Sequence, residues 1–338
     1  MDIFYAFNDA YAALAGISIY SLLENNKNCE SIRFFIVDSG ISEVNRKKIQ
    51  RMILDSGREI TFYEMPSFRE ILGDDVDTGR WNINVYSKLF VGSLLPDDVH
   101  RVISIDCDTV IVGSLDELWN TDISKCIVAG VNEAMSKYYR RYLGKKDDDY
   151  YLNSGMLFFN LELIREKHFE EVFVSGMKKY GRSLPYLDQD LIDAVIPQDR
   201  ICLLHPKFNA ITPIFCCSYK ELCKTRRATT YYPESMFIEA KEDARIIHYT
   251  TFFMNNLRPW FEGSRHPKLN EFLEYKKQSP WYNEPLWKDK REKKDRIKSK
   301  VISILPKFIS CSISSVLHGV IIPKRTYKRV ETQLASNN

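Results

Sequence analysis

Val102-Ile103-Ser104-Ile105-Asp106-Cys107-Asp108-Thr109 is a short apolar run that ends on two carboxylates one residue apart. Such a run reads as a buried strand, with the acidic pair on its lip. If the backbone stays extended, alternate side chains share a face, so Asp106 and Asp108 can hold one cation between them. A hard divalent ion on carboxylate oxygens, with positions open to phosphate, is a common way to bind a nucleotide diphosphate. Acidic pairs also end strands and begin turns, so the D-x-D element depends on what converges with it.

Working outward, Ile3–Phe7 reads as a first buried strand, followed by a polar turn at Asn8-Asp9 and a helix over Tyr11–Glu24. Arg33–Val37 and Glu59–Tyr63 read as strands, with Glu43–Leu54 as the helix between them. The residues Val85–Leu94 predict a helix leading into the central strand. Cys126–Val131 and Gly155–Phe159 are further strands. Leu161–Tyr180 reads as one long charged helix and Leu187–Ile196 as a shorter one, and Arg245–His248 ends another strand. Strands alternating with helices predict an α/β fold with a largely parallel sheet. Ligands of such folds sit beyond the carboxyl ends of the strands, where Asn8, Asp106 and His248 all fall.

The 338 residues, 44% of them hydrophobic, suffice for one large domain or two smaller ones. The formal charge of +3 divides unevenly: residues 288–338 hold thirteen Lys or Arg against four acids, leaving the body at about −6. An acidic body argues against nucleic acid as a partner. The eight cysteines show no paired C-x-x-C spacing, so mostly free thiols in a reducing compartment are expected. No signal-peptide pattern opens the chain, and no run of 18 apolar residues suggests a membrane span. Composition changes after Trp287. A basic block at 288–300 precedes an apolar stretch at 301–323 and a second basic cluster, Lys324-Arg325-Thr326-Tyr327-Lys328-Arg329. The expected division is a catalytic domain at 1–287 and a C-terminal segment at 288–338, either attached to an anionic membrane surface or packed as a helical extension.

Several separated motifs carry a family resemblance over roughly residues 1–262. They are Phe4-Tyr5-Ala6-Phe7-Asn8-Asp9-Ala10-Tyr11, Tyr86-Ser87-Lys88-Leu89, Ile105-Asp106-Cys107-Asp108-Thr109, Asn153-Ser154-Gly155-Met156, Leu187-Asp188-Gln189-Asp190, and His248-Tyr249 followed by Arg258-Pro259-Trp260. Their order and spacing resemble glycosyltransferase family 8, the retaining bacterial hexosyltransferases of lipopolysaccharide and related glycans. The resemblance implies the GT-A fold, a single Rossmann-like domain with a mixed, mostly parallel sheet. It also implies a manganese cofactor (magnesium as the alternative) and a UDP-hexose donor.

On that resemblance, Asp106, Asp108 and His248 are the metal ligands. Asn8 and Tyr11 bind the base, Lys88 and Arg258 bind the diphosphate, and Asn153 meets the donor sugar. Gly155 permits a close backbone approach. Asp188, Gln189 and Asp190 form the catalytic group: Asp188 accepts sugar hydroxyls, Gln189 lies beside the anomeric carbon, and Asp190 orders the pocket or the acceptor. Helix capping remains an alternative for these acids. Two departures from the family pattern stand out. Ala10 replaces a side-chain amide, and Thr251 stands at a glycine position in a loop about four residues longer before Arg258.

A glutamine amide is a poor nucleophile, so retention through same-face departure and attack is expected rather than a covalent adduct. The expected activity is transfer of galactose or glucose from a UDP-sugar to an oligosaccharide or glycolipid acceptor. Its expected location is the cytoplasm, peripheral on the inner membrane. The alternatives are a nucleotidyl or phosphoryl transferase and a non-catalytic sugar-nucleotide or glycan-binding protein. Neither a P-loop nor a dinucleotide fingerprint is present to support the former.

Overall fold

The computed structural model describes residues 1–64, 83–253 and 257–336. Its strands are β1 Asp2–Phe7, β2 Arg33–Asp38, β3 Glu59–Glu64, β4 Arg101–Ile105, β5 Thr109–Ile111, β6 Val128–Asn132, β7 Met135–Ser136, β8 Leu152–Asn160, β9 Ile201–Leu203, β10 Ala210–Ile211, β11 Ala228–Thr230 and β12 Ile246–His248. Seven of them form one sheet in the order β3-β2-β1-β4-β8-β6-β9. Pairing is parallel except at β8, which runs against both β4 and β6. This is the mixed, mostly parallel sheet expected of the α/β class.

Alternation along the strands supplies two hydrophobic layers. Phe4, Val102, Leu157 and Phe159 pack on one face, and Ile3, Tyr5, Ile103 and Phe158 on the other. Every residue of β8 is buried, as a central strand covered on both faces requires.

Strand order reverses between β1 and β4, which is where an open α/β sheet splays to leave a crevice. The antiparallel β8 then delivers its amino end to the same crevice. Met156 pairs with Ile105, and the Asp106 amide donates to the Gly155 carbonyl at 2.9 Å. A small second sheet, β10-β12-β5, completes the arrangement, with β12 antiparallel to β5 so that His248 faces Thr109.

Several local expectations are corrected. The long helix at 161–180 is two, Leu161–Glu166 and Phe169–Tyr180, broken at His168, whose φ of 50° is left-handed. The helix at 85–94 is a 3₁₀ segment, Ile83–Phe90, with a short α-turn, Val91–Leu94. Cys126 and Cys202 are joined by a disulfide across the Cα–Cα distance of 5.8 Å, while six cysteines are free. No local spacing marks this pair because 76 residues separate the partners and only the β6–β9 pairing brings them together.

The C-terminal segment folds into helices Lys293–Ile304, Lys307–Val316 and Ile322–Ser336, the last two joined by a π-helical turn. They lie on the body. Val330 is buried in the main core, Arg329 donates twice to the Ser183 carbonyl, and Lys307 pairs with Glu221 at 2.8 Å. Among the described residues, no helix is long and apolar enough to cross a membrane.

Candidate active site

A cavity of about 660 Å³ opens at the carboxyl ends of β1 and β4. That size suits a nucleotide or sugar ligand. Asn8, Tyr11, Lys88, Asp106, Asp108, Asn153, Gly155, Asp188, Gln189, His248 and Arg258 all line it. Asp190 does not.

The acidic pair sits just past β4 because the strand ends at Ile105 and the chain turns before β5. Ligand-capable atoms of Asp106, Asp108 and His248 lie within 4.8 Å of one another. The Asn209 carboxamide orients the histidine. Asn209 Nδ2 donates to Asn153 Oδ1 at 2.8 Å, so Asn209 Oδ1 faces His248 Nδ1 at 3.0 Å and must accept from it. The other ring nitrogen, Nε2, points at Asp108 Oδ1 at 3.2 Å, placed to donate to the carboxylate as an imidazolium or to share a cation with it as a neutral ring. Two carboxylates and one imidazole, the last held by the Asn209 amide, suit a divalent ion.

Positive side chains close the rest of this pole. Lys88 Nζ donates to Asp106 Oδ1 at 2.7 Å and to the Ser154 carbonyl at 3.0 Å, and lies 3.2 Å from Asp188 Oδ2. Burial favours its neutral form, but Asp106 and Asp188 outweigh this and raise it above the ordinary lysine range. Arg258 reaches Asp108 Oδ2 at 3.0 Å. Burial opposes the Asp108 charge, yet the His248 ring and Arg258 prevail and hold the carboxyl below the usual range. A diphosphate and ion arriving together would thus meet fixed charges of both signs.

Gly155 fits this geometry for a steric reason. A Cβ built on it would land inside the His248 ring, so only hydrogen lets β8 pass so close to that ring.

Two residues lining this cavity carry a polar atom buried without a hydrogen-bond partner among the described residues, Asn8 Oδ1 and Thr250 Oγ1, while Asp188 Oδ2 is matched by the Lys88 ammonium. An unmade buried hydrogen bond is costly, so such atoms mark where a ligand donor belongs. Burial also raises the Asp188 carboxyl. Tyr11, 41% exposed and edge-on to Trp287, offers a ring beside Asn8.

Gln189 is held at both ends, its Oε1 accepting from the Ser154 amide at 3.1 Å and its Nε2 reaching Glu133 at 3.4 Å. Asn153 is also committed within the wall. Its Oδ1 takes Gly155 and Asn209, and its Nδ2 donates to Glu133 at 2.9 Å.

Asp190 is the correction to the catalytic group. It is fully buried and receives Tyr142 and Tyr151 hydroxyls at 2.7 and 2.6 Å and the Tyr186 amide at 2.9 Å. Successive helical residues turn by about 100°, so three in a row do not face one cavity. Asp190 therefore orders the helix Leu187–Val195 from behind. Burial raises its carboxyl to about 6.

Sequence reasoning missed Glu133, Asn209, Tyr186 and Arg226. Glu133 follows the carboxyl end of β6, the one positional signal that could have found it. The other three carry no local pattern. Of the longer loop after His248, residues 254–256 lie outside the described residues, while Thr250 and Thr251 line the cavity.

The chain is similar to General stress protein A of Bacillus subtilis, 26% identical over 277 residues that cover 81% of this chain and 92% of that one. It is also similar to a lipopolysaccharide 1,2-glucosyltransferase of Escherichia coli, 24% identical over 325 residues, covering 95% and 91%. Among solved structures, the galactosyltransferase LgtC bound to donor and acceptor sugar analogues superposes with a TM-score of 0.69 at 21% identity. That match covers 88% of this chain and 100% of LgtC, and the shared architecture is the GT-A fold. The sequence profile of glycosyl transferase family 8 matches residues 2–263, most of the chain, and with the same ordered motifs converging on one cavity this protein belongs to that family.

Proposed function

We propose that this chain is a retaining hexosyltransferase that moves galactose or glucose from a UDP-sugar to a saccharide hydroxyl of a lipopolysaccharide-type glycan. The observation that carries the reading is the orientation of His248 Nε2 toward Asp108 beside Lys88 and Arg258, with an unsatisfied acceptor, Asn8 Oδ1, and the Asp188 carboxylate lining the same cavity. Asp106, Asp108 and His248 would hold Mn²⁺, with Mg²⁺ as the weaker fit to an imidazole ligand. When bound, the ion would neutralise diphosphate charge.

The chain's own residues do the rest. Asn8 and Tyr11 bind the uracil, and Lys88 and Arg258 receive the phosphates. Asp188 accepts a sugar hydroxyl. Gln189, clamped by Ser154 and Glu133, supports the positive charge that develops at the anomeric carbon. Retention then follows from same-face attack, in which the leaving phosphate oxygen takes the acceptor proton. Asp190 acts as a positioning residue.

Residues 1–287 would form the catalytic unit and 288–338 a helical extension docked on it. Exposed Ile297, Val301, Ile304 and Phe308, interleaved with lysines, support contact with an anionic membrane. The proposed location is the cytoplasmic face of the inner membrane, where nucleotide sugars are available.

The test is UDP release from a panel of UDP-sugars with Mn²⁺, with and without deacylated glycolipid. Turnover lost in Asp106→Asn and Asp108→Asn supports the reading, whereas full turnover in both rejects it. Product anomers read by NMR test retention, and a sugar adduct trapped on Gln189 would overturn the same-face route. Sedimentation with phosphatidylglycerol vesicles tests the membrane contact. Equal sedimentation by a quadruple Ser variant of Ile297, Val301, Ile304 and Phe308 would reject it.

A further inference from the structure

If the diphosphate lies at Asp106–Asp108 and the sugar at Asp188–Gln189, the cavity continues past Gln189 along Glu133, Met135, Tyr186 and Arg226. A second substrate would enter along this wall. Arg226 ends the helix Tyr219–Arg226, and its side chain is 15% exposed.

The guanidinium carries five N–H donors, and among the described residues they are poorly used. Its polar contacts there are Nη1 to Met135 Sδ at 4.0 Å and Nη2 to Glu133 Oε1 at 3.8 Å. Neither is a strong hydrogen bond. Arg165 in the same chain shows what satisfaction looks like, donating to the carbonyls of Gly92, Leu95, Pro96, Asp97 and Val99.

Glu133 is not placed to neutralise Arg226 bidentately, because its Oε2 is taken by Asn153 and Gln189. The other acids nearby are also committed: Asp190 to tyrosines and Asp147 to Arg141. Further cations lie on neighbouring elements. Lys137 and Lys324 both sit over the Tyr138 ring at 5.9 and 5.1 Å, and Arg227 lies against Ser315 of the C-terminal segment.

We infer that Arg226 reads an anionic group, phosphate or carboxylate, on the acceptor saccharide close to the hydroxyl that receives the sugar. A planar fork facing a low-dielectric wall recognises such a group bidentately, and the cations on neighbouring elements favour its approach. Glu133 Oε1, left to one side, accepts from a neighbouring acceptor hydroxyl. This inference rests on the proposed transferase activity.

The test compares a methyl hexoside with its 6-phosphate and its 6-carboxylate on the full-length protein. UDP release without acceptor, measured first, reports the transferase reading separately. The wild type should favour one of the anionic acceptors at least tenfold in kcat/KM, and the better arm identifies phosphate or carboxylate as the source. Arg226→Gln should cut that preference roughly 10- to 100-fold, mainly through KM, as for the loss of a charge-assisted bond. Arg226→Lys, which keeps the charge without the fork, should fall between the two and controls for misfolding. Calorimetric titration of the three hexosides into UDP-loaded protein gives the same comparison without turnover. Equal affinity for neutral and anionic hexosides, no binding of either anion, or an unchanged ratio in Arg226→Gln would each overturn the inference.

Discussion

Replacing Gly155 with alanine adds one methyl group at the position where the structure tolerates none. The new Cβ would fall within the His248 ring, and neither neighbour is free to yield. The Gly155 backbone is tied on both sides, its carbonyl accepting from Asp106 at 2.9 Å and its amide donating to Asn153 at 3.0 Å. His248 is tied through Nδ1 to Asn209 and lies on β12, paired with β5. Restoring van der Waals contact requires a ring shift of more than about 1 Å, since carbon pairs rest near 3.5–4.0 Å. Overpacking of this kind costs roughly 1–3 kcal/mol, which in a chain of this size lowers Tm by several degrees. The larger effect is on the ion, because the ring that moves is a proposed ligand. Affinity should drop at least the roughly 10- to 100-fold that disturbing an outer-shell partner costs. Mn²⁺ titration followed by electron paramagnetic resonance measures that loss, with thermal melting as the fold control. An alanine variant that binds Mn²⁺ as tightly as wild type and melts at the same temperature would refute the steric reasoning.

Other perturbations separate the remaining roles. Lys88→Met leaves Asp106 and Asp188 without their shared cation and should cost about 3 kcal/mol in urea unfolding, since breaking a buried pair exceeds what forming it gains. The folded lysine value is raised, so the Lys88 contribution is complete below about 10.5 and is lost only as pH climbs through that higher value. The deficit of Lys88→Met should therefore stay constant from pH 6 to 9. Asp190 behaves in the opposite sense: with its carboxyl raised to about 6, it favours the folded state most below its unfolded value. Its contribution then falls as pH rises from about 4 to 6, a slope worth roughly 1–3 kcal/mol that Asp190→Asn should remove from urea melts. Deleting residues 288–338 uncovers the tyrosine-rich core around Tyr139 and Tyr142 and removes Val330, so the shortened chain should melt several degrees lower. An unchanged Tm would show that the extension adds no stability.

Much of the site was legible because its chemistry is local. Asp106 and Asp108 announce themselves by following an apolar run, and Asp188-Gln189 by opening a helix. His248 needed the ordered set of motifs, since one histidine after a short strand has many uses. The direction of β8 was not legible. Nothing in Leu152–Asn160 says which way the strand runs, and that direction alone brings Asn153 and Gly155 to the metal pole. Asp190 follows Asp188 and Gln189 in sequence yet turns away from the cavity, because adjacency in sequence is not adjacency on a helix. Arg226 and Asn209 came from segments whose only signal is three-dimensional. The disulfide belongs with them, joined by a strand pairing and not by spacing.

The antiparallel clasp of β12 on β5 ties the end of the family segment to its middle. The chain must thread the whole sheet before His248 can reach Asp108, so the proposed cation site comes into being only with the finished topology. A partly folded or prematurely ended chain keeps its two aspartates but has no third ligand, and such chains should bind metal only weakly. Free Mn²⁺ would then act as a ligand of the native state alone, stabilising finished molecules by mass action and leaving incomplete ones exposed to proteolysis.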